Sequence, residues 1–153
     1  MSRGASRNAS RQLALQALYA FDLASGANTP REKRDVPSAD EVFESVAANF
    51  DLVEGARAFA KELVCGVMAQ RDSVDAVITC HSRNWRISRM ATVDRNVLRL
   101  AVYELVHTDT PVSIVIDQAI ELARRFGDDP SPAFVNGVLD AVAHRSGPEE
   151  ESP

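Results

Sequence analysis

Three arginines and a tyrosine near the start of the chain carry the clearest chemistry. Arg3, Arg7 and Arg11 are spaced four apart, and Leu15 and Tyr19 continue the same step. On a helix, such residues are neighbours along one surface row. Up to Phe21 there is no Asp or Glu, so this stretch is basic in a chain of formal net charge -5. A guanidinium forks onto phosphate or stacks on a base. A helix N-terminus also favours anions. A tyrosine ring stacks an unpaired base, a contact worth about 1–3 kcal/mol. Gln16, with Gln12 and Asn8 beside it, supplies hydrogen-bonding groups. Arg7, Arg11, Gln16 and Tyr19 are therefore candidates for a surface that takes phosphate and single-stranded bases. The same residues have a plainer reading, a solvated basic end with Leu15 and Tyr19 packed under a linker.

These side chains need a helix, and the sequence predicts one. Residues from about Ser6 to Ala24 contain no Gly or Pro and are rich in Ala, Leu, Gln and Arg, strong helix formers. At 100° per residue, Leu13, Ala17, Ala20, Phe21 and Ala24 share a face that should enter the core. A polar linker with Gly and two prolines follows, from Ser25 to Ser38. Ser38 with Glu41 reads as a capping box opening a second helix to about Phe50. Asp51 with Glu54 reads similarly, opening a longer helix to about Cys80 with apolar positions Phe59, Leu63, Val67, Val74, Val77 and Ile78. Asn84 to Ser88 is a connector, and its Trp85 either caps the core, the favoured reading, or meets a partner. Helical spacing resumes at about Thr92, with Asp94 suited to a first turn. Pro111 marks the next helix start, and Gly127, read as a C′ glycine, marks its stop. Ser131 then reads as an N-cap with Pro132 at the first helical position. Gly137, inside the last helix, is expected to mark a close helix–helix approach. The fold class is all-α, six or seven helices joined mostly by short loops, which favours antiparallel bundles.

Composition excludes several functions. The 153 residues, 45% hydrophobic and 25% charged, suit one soluble globular domain. Cys65 and Cys80 sit in apolar helical stretches and are expected to be buried thiols in a reducing compartment. No apolar run approaches the roughly 20 residues that cross a bilayer, and the start lacks the apolar stretch of a secretory signal. The expected location is the cytoplasm, with no membrane partner. His81, His107 and His144 lack ligand spacing, so no metal is expected. No phosphate-cradling Gly-rich loop or GxSxG is present. Asp128 and Asp129 read as turn chemistry. No cofactor and no catalytic residue is expected, so the chain is not read as an enzyme.

Three blocks carry a family resemblance: VDRNVLRLAVYEL from Val93 to Leu105, PVSIVIDQAIELARRF from Pro111 to Phe126, and SPAFVNGVLD from Ser131 to Asp140. With ALQALYAFD, Ala14 to Asp22, they cover about a third of the chain, in the family's order. In these blocks the chain resembles the NusB family of transcription antitermination factors. The resemblance implies two small helical bundles packed together, residues 1–82 and 83–147, within one domain, then a disordered acidic tail at 148–153. It implies binding to the boxA element of ribosomal RNA operons together with NusE, a small-subunit ribosomal protein. It also implies a place in the RNA polymerase antitermination complex. Arg7, Arg11, Gln16 and Tyr19 match the family's RNA surface, and Phe134 in FVNG joins them. Asn8 and Ala9 interrupt the basic cluster that family members carry.

The helix after Pro111 is apolar on more than one side, and Val112, Ile116 and Ile120 are candidates for the protein-partner surface. A homodimer burying Leu15 is left open. Two other readings have different tests. A helical protein-interaction module without RNA binding would show no competition by single-stranded RNA. An RNA methyltransferase fragment would need a further cofactor domain.

Overall fold

A computed structural model describes residues 3–25, 38–82 and 85–145. Among them the chain forms seven α-helices and no strand. The helices are α1 (Arg3–Ala24), α2 (Ala39–Ala47), α3 (Glu54–Ala69), α4 (Arg71–His81), α5 (Thr92–His107), α6 (Val112–Phe126) and α7 (Ser131–Arg145), with a 3-10 turn at Ile87–Arg89. The all-helical class is as expected. Residues 26–37 of the linker, Asn84 and the 148–153 tail lie outside the described residues. No helix among the described residues is long and apolar enough to cross a membrane.

The chain divides into two compact units, one ending at Ala69 and one beginning at Gln70. In the first, α1 packs on α2 and α3, and α2 packs on α3. Small residues let α1 and α3 approach closely, because the interaxial distance follows the side chains at the contact. Ser10 of α1 and Ala56 and Ala60 of α3 are all buried. The Ser10 hydroxyl lies 2.7 Å from the Ala56 carbonyl and 2.9 Å from that of Ser6. Leu63, Val64 and Val67 recur at helical spacing along α3 and join Phe43 of α2 in the core. The α2 capping box is present as expected, with Glu41 N–H donating to the Ser38 hydroxyl at 3.1 Å and Ser38 N–H to the Glu41 carboxylate at 3.2 Å. Outside, Arg57 pairs with Glu44, and Lys61 lies 3.5 Å from both Asp40 and Glu44. Asp40, and after it Glu44, holds the Lys61 ammonium above its usual pKa of 10.5, so the lysine stays charged at neutral pH.

In the second unit α5 is central, packing on α4, α6 and α7, while α7 also packs on α4 and α6. Residues 96–102 of α5 are all buried. They meet Val115, Ala119, Leu122 and Ala123 of α6, an i, i+4, i+7, i+8 stripe, and Val135, Val138, Leu139 and Val142 of α7. Two charged side chains of α5, Arg99 and Glu104, are buried with them. Arg99 forks onto Asp75 of α4, with Nε 2.8 Å from Oδ1 and Nη2 3.1 Å from Oδ2. Its third nitrogen reaches the Asn96 amide oxygen at 3.3 Å, which suits the planar guanidinium.

Several expectations are corrected. The long helix from Glu54 to Cys80 is two helices, broken at Gln70, whose φ of -107° and ψ of 18° leave the helical region. Gln70 O then accepts from Val74 N–H, and Asp72 lies in the first turn of α4. The division expected at 82/83 accordingly stands at 69/70, because α4 packs with α5 and α7. Asp51 does not cap α3: the helix starts at Glu54, with Arg57 N–H bonded to Val53 O. Ser131 is already helical, and its hydroxyl turns back to accept from Asp128 N–H at 3.0 Å. Gly127 ends α6 in an extended conformation, φ -100° and ψ -166°, without the left-handed turn of a C′ glycine. Its missing side chain matters for space, since a Cβ would fall 2.6 Å from Ser131 Oγ and 2.8 Å from Ala123 O. Gly137 is the opposite case, exposed and with nothing within 4 Å of a Cβ. Cys80 is exposed rather than buried, and both thiols are free.

Candidate nucleic-acid interface

The α1 row exists, but the structure does not open all of it to solvent. Each step of four residues turns the row by about 40°, so its members meet different surroundings. Arg7 is half-buried at one end and Tyr19 is 37% exposed at the other. Between them Arg11 is only 4% exposed and Leu15 only 2%. Arg11 is therefore withdrawn from the surface. Leu15 is covered within a single chain and needs no second copy to hide it. The buried side of α1 is also wider than its wheel predicted. Ala14 and Leu18 join Leu13 and Ala17 in the core, while Ala20 and Phe21 are half-buried and Ala24 is exposed.

Phe59 of α3, expected as an apolar core position, instead receives the arginines. The Arg7 guanidinium carbon lies 3.7 Å from the centroid of its ring, and that of Arg11 lies 5.7 Å away. Gln16 is half-buried on the same helix as Tyr19. Gln12 donates to the Asn8 side-chain oxygen at 2.6 Å, so these two amides serve each other. Tyr19 stands twelve residues beyond Arg7, about 18 Å along the axis at 1.5 Å per residue. A ligand that touches both must be an extended chain rather than one small molecule.

A second aromatic surface belongs to the second unit. Trp85, expected on the core, is 55% exposed. It meets Phe134 of α7 edge to face, with centroids 6.2 Å apart and planes at 70°. Both line a cavity of about 440 Å³, with Met90, Asp94, Asp128 and Ser131 on its walls. The Phe134 position was legible as a site candidate. Trp85 was read first as core and only second as a partner contact, because a tryptophan in a short connector is more often packed than displayed.

On α6, Val112 is exposed, and Ile116 and Ile120 are half-buried one and two steps of four further on. They form a continuous apolar edge beside the buried Val115 stripe, and exposed Ile114 lies in the same first turn. Among the described residues, no three His, Cys, Asp or Glu side chains gather as metal ligands would.

A family model described as the NusB family matches residues 8–144. The chain belongs to the NusB family. It is a family of transcription antitermination proteins, not of enzymes. The transcription antitermination protein NusB of Anaeromyxobacter dehalogenans (strain 2CP-1 / ATCC BAA-258) is 49% identical over 137 residues, covering 90% of this chain and 89% of that one. A solved T. maritima NusB has a TM-score of 0.77 and 32% identity, covering 94% of both chains. A structure of the antitermination factors NusB and NusE in complex with dsRNA gives a TM-score of 0.76 and 30% identity, covering 94% of this chain and 98% of that one. The NusB-family helices therefore supply the frame on which Arg7, Gln16, Tyr19 and Phe134 are carried.

Proposed function

We propose that the chain binds boxA-type single-stranded RNA of ribosomal RNA operons jointly with the ribosomal protein NusE, as part of an RNA polymerase antitermination complex in the cytoplasm. The observation that carries this reading is Tyr19, an exposed ring on a rigid helix, in a chain whose fold is that of a NusB solved with NusE and RNA. An exposed ring suits an unstacked base better than a duplex, whose bases are already stacked. Arg7 lies far enough along α1 for a phosphate further down the same strand. Gln16 would supply hydrogen bonds beside the ring. On the second unit, Phe134 and Trp85 would take a further base. The α6 edge of Val112, Ile116 and Ile120 is the proposed NusE surface, apolar where a stable protein contact needs an apolar centre.

A chain of net charge -5 repels RNA overall, so RNA affinity should be weak alone and stronger with the partner. The test is a titration of labelled boxA RNA, single-stranded and duplex, with and without NusE at fixed salt. Tighter binding of the single strand when NusE is present is expected. Equal affinity with and without the partner would remove the cooperative claim, and no RNA binding in either case would leave a protein-interaction module. Tyr19→Ala should weaken RNA binding by roughly five- to 150-fold while leaving the helical circular dichroism unchanged.

A further inference from the structure

We propose that Phe59 is a positioning residue for RNA capture, holding the Arg7 guanidinium in place before the strand arrives. The inference rests on the RNA reading above and adds a residue on a different helix, α3, that the motif on α1 does not contain. Its ground is the contrast between Arg7 and the arginines that carboxylates hold. Arg57 pairs with Glu44, Arg99 with Asp75, and Arg124 with Glu121. The Arg7 guanidinium carbon instead lies over a ring, 3.7 Å from its centroid, and among the described residues no carboxylate pairs with it.

That difference has a chemical consequence. A carboxylate occupies the N–H edge of a guanidinium, the edge that would fork onto phosphate. An aromatic ring occupies only a face, because the five N–H donors lie in the guanidinium plane. Stacking on Phe59 therefore restrains the long Arg7 side chain and leaves its donors for a phosphate. A restrained side chain also loses less freedom when RNA binds. Arg11, nearly buried, lies further from the same ring, 5.7 Å from its centroid.

The experiment measures the affinity of single-stranded boxA RNA for the full chain carrying Phe59→Leu, Phe59→Tyr, Arg7→Ala and the Arg7→Ala/Phe59→Leu pair. Leu keeps the apolar contact and removes the ring, and thermal melting by circular dichroism follows the fold in each variant. Phe59→Leu should weaken binding roughly three- to tenfold. Phe59→Tyr should stay within about twofold of the parent, since the ring is kept. The double variant should bind no more weakly than Arg7→Ala alone. Equal, additive losses in the two backgrounds would mean that Phe59 acts on the helix pair generally, and would overturn the proposal. So would a Phe59→Leu variant that binds like the parent while Arg7→Ala is weakened. If Tyr19→Ala and Arg7→Ala both bind like the parent, the RNA reading itself falls.

Discussion

At the residue scale, two glycines have opposite roles, and this can be measured. Gly127 sits where a Cβ would press on Ser131 Oγ and on the backbone oxygen of Ala123. Shifting Ser131 would disturb its bond with Asp128 N–H. Gly127→Ala should therefore cost about 1–3 kcal/mol in urea denaturation, the range of overpacking. Gly137 faces open space within α7, so Gly137→Ala should stabilise by about 0.5–1 kcal/mol through helix propensity alone. The opposite sign at either position would contradict the packing described. Trp85 supplies a further test. It is the chain's single tryptophan, so its fluorescence reports one place. RNA binding should quench it if the Phe134 surface takes part, and an unchanged signal at saturation would leave the contact to α1. The candidates at the two ends of the α1 row, Arg7 and Tyr19, were legible because residue type and spacing alone name them. The burial of Arg11 and Leu15 was not, because it depends on which side of α1 receives α3.

At the scale of elements, the helices were legible in outline and their breaks were not. The break at Gln70 leaves no mark on the apolar spacing, since Val67 and Val74 are seven apart and continue one stripe across it. What settles the matter is a long-range pair, Arg99 on α5 with Asp75 on α4, which local periodicity does not see. That pair also predicts how α4 is held. Arg99 is nearly buried, while Asp75 keeps some solvent contact. Asp75→Ala should leave the guanidinium buried without its carboxylate and cost about 2 kcal/mol, below the 3–5 kcal/mol of a fully enclosed pair. Urea denaturation measures the loss, and hydrogen exchange should show it concentrated in α4. A loss spread equally over α2 and α3 would place α4 with the first unit instead. Where the capping signal was local and complete, as at Ser38 and Glu41, sequence and structure agree.

At the scale of the whole molecule, the proposed function raises the question of how an acidic chain would hold a polyanion. With a net charge of -5, long-range attraction does not favour binding, and at ordinary ionic strength charges beyond about 8–10 Å are screened. On the proposed reading the work would fall to the few cations within reach of phosphate and to stacking, which salt hardly affects. For a single strand each neutralised phosphate adds about 0.7 to the slope of log K against log salt. If Arg7 and Arg11 both met phosphate, they would contribute about 1.4 together. With Arg11 withdrawn against Phe59 and only Arg7 accessible, the pair should contribute about 0.7. Arg7→Ala should therefore lower the measured slope by about that amount, whereas Arg11→Met should leave the slope unchanged and lower the melting temperature. Tyr19→Ala should reduce affinity at every salt concentration without changing the slope, because a stacked base releases no counterion. A slope that falls equally for the two arginine variants would mean that Arg11 leaves the α3 ring to meet the strand. The contact between α1 and α3 would then have to open on binding, and its burial in the free chain would be a cost that RNA overcomes.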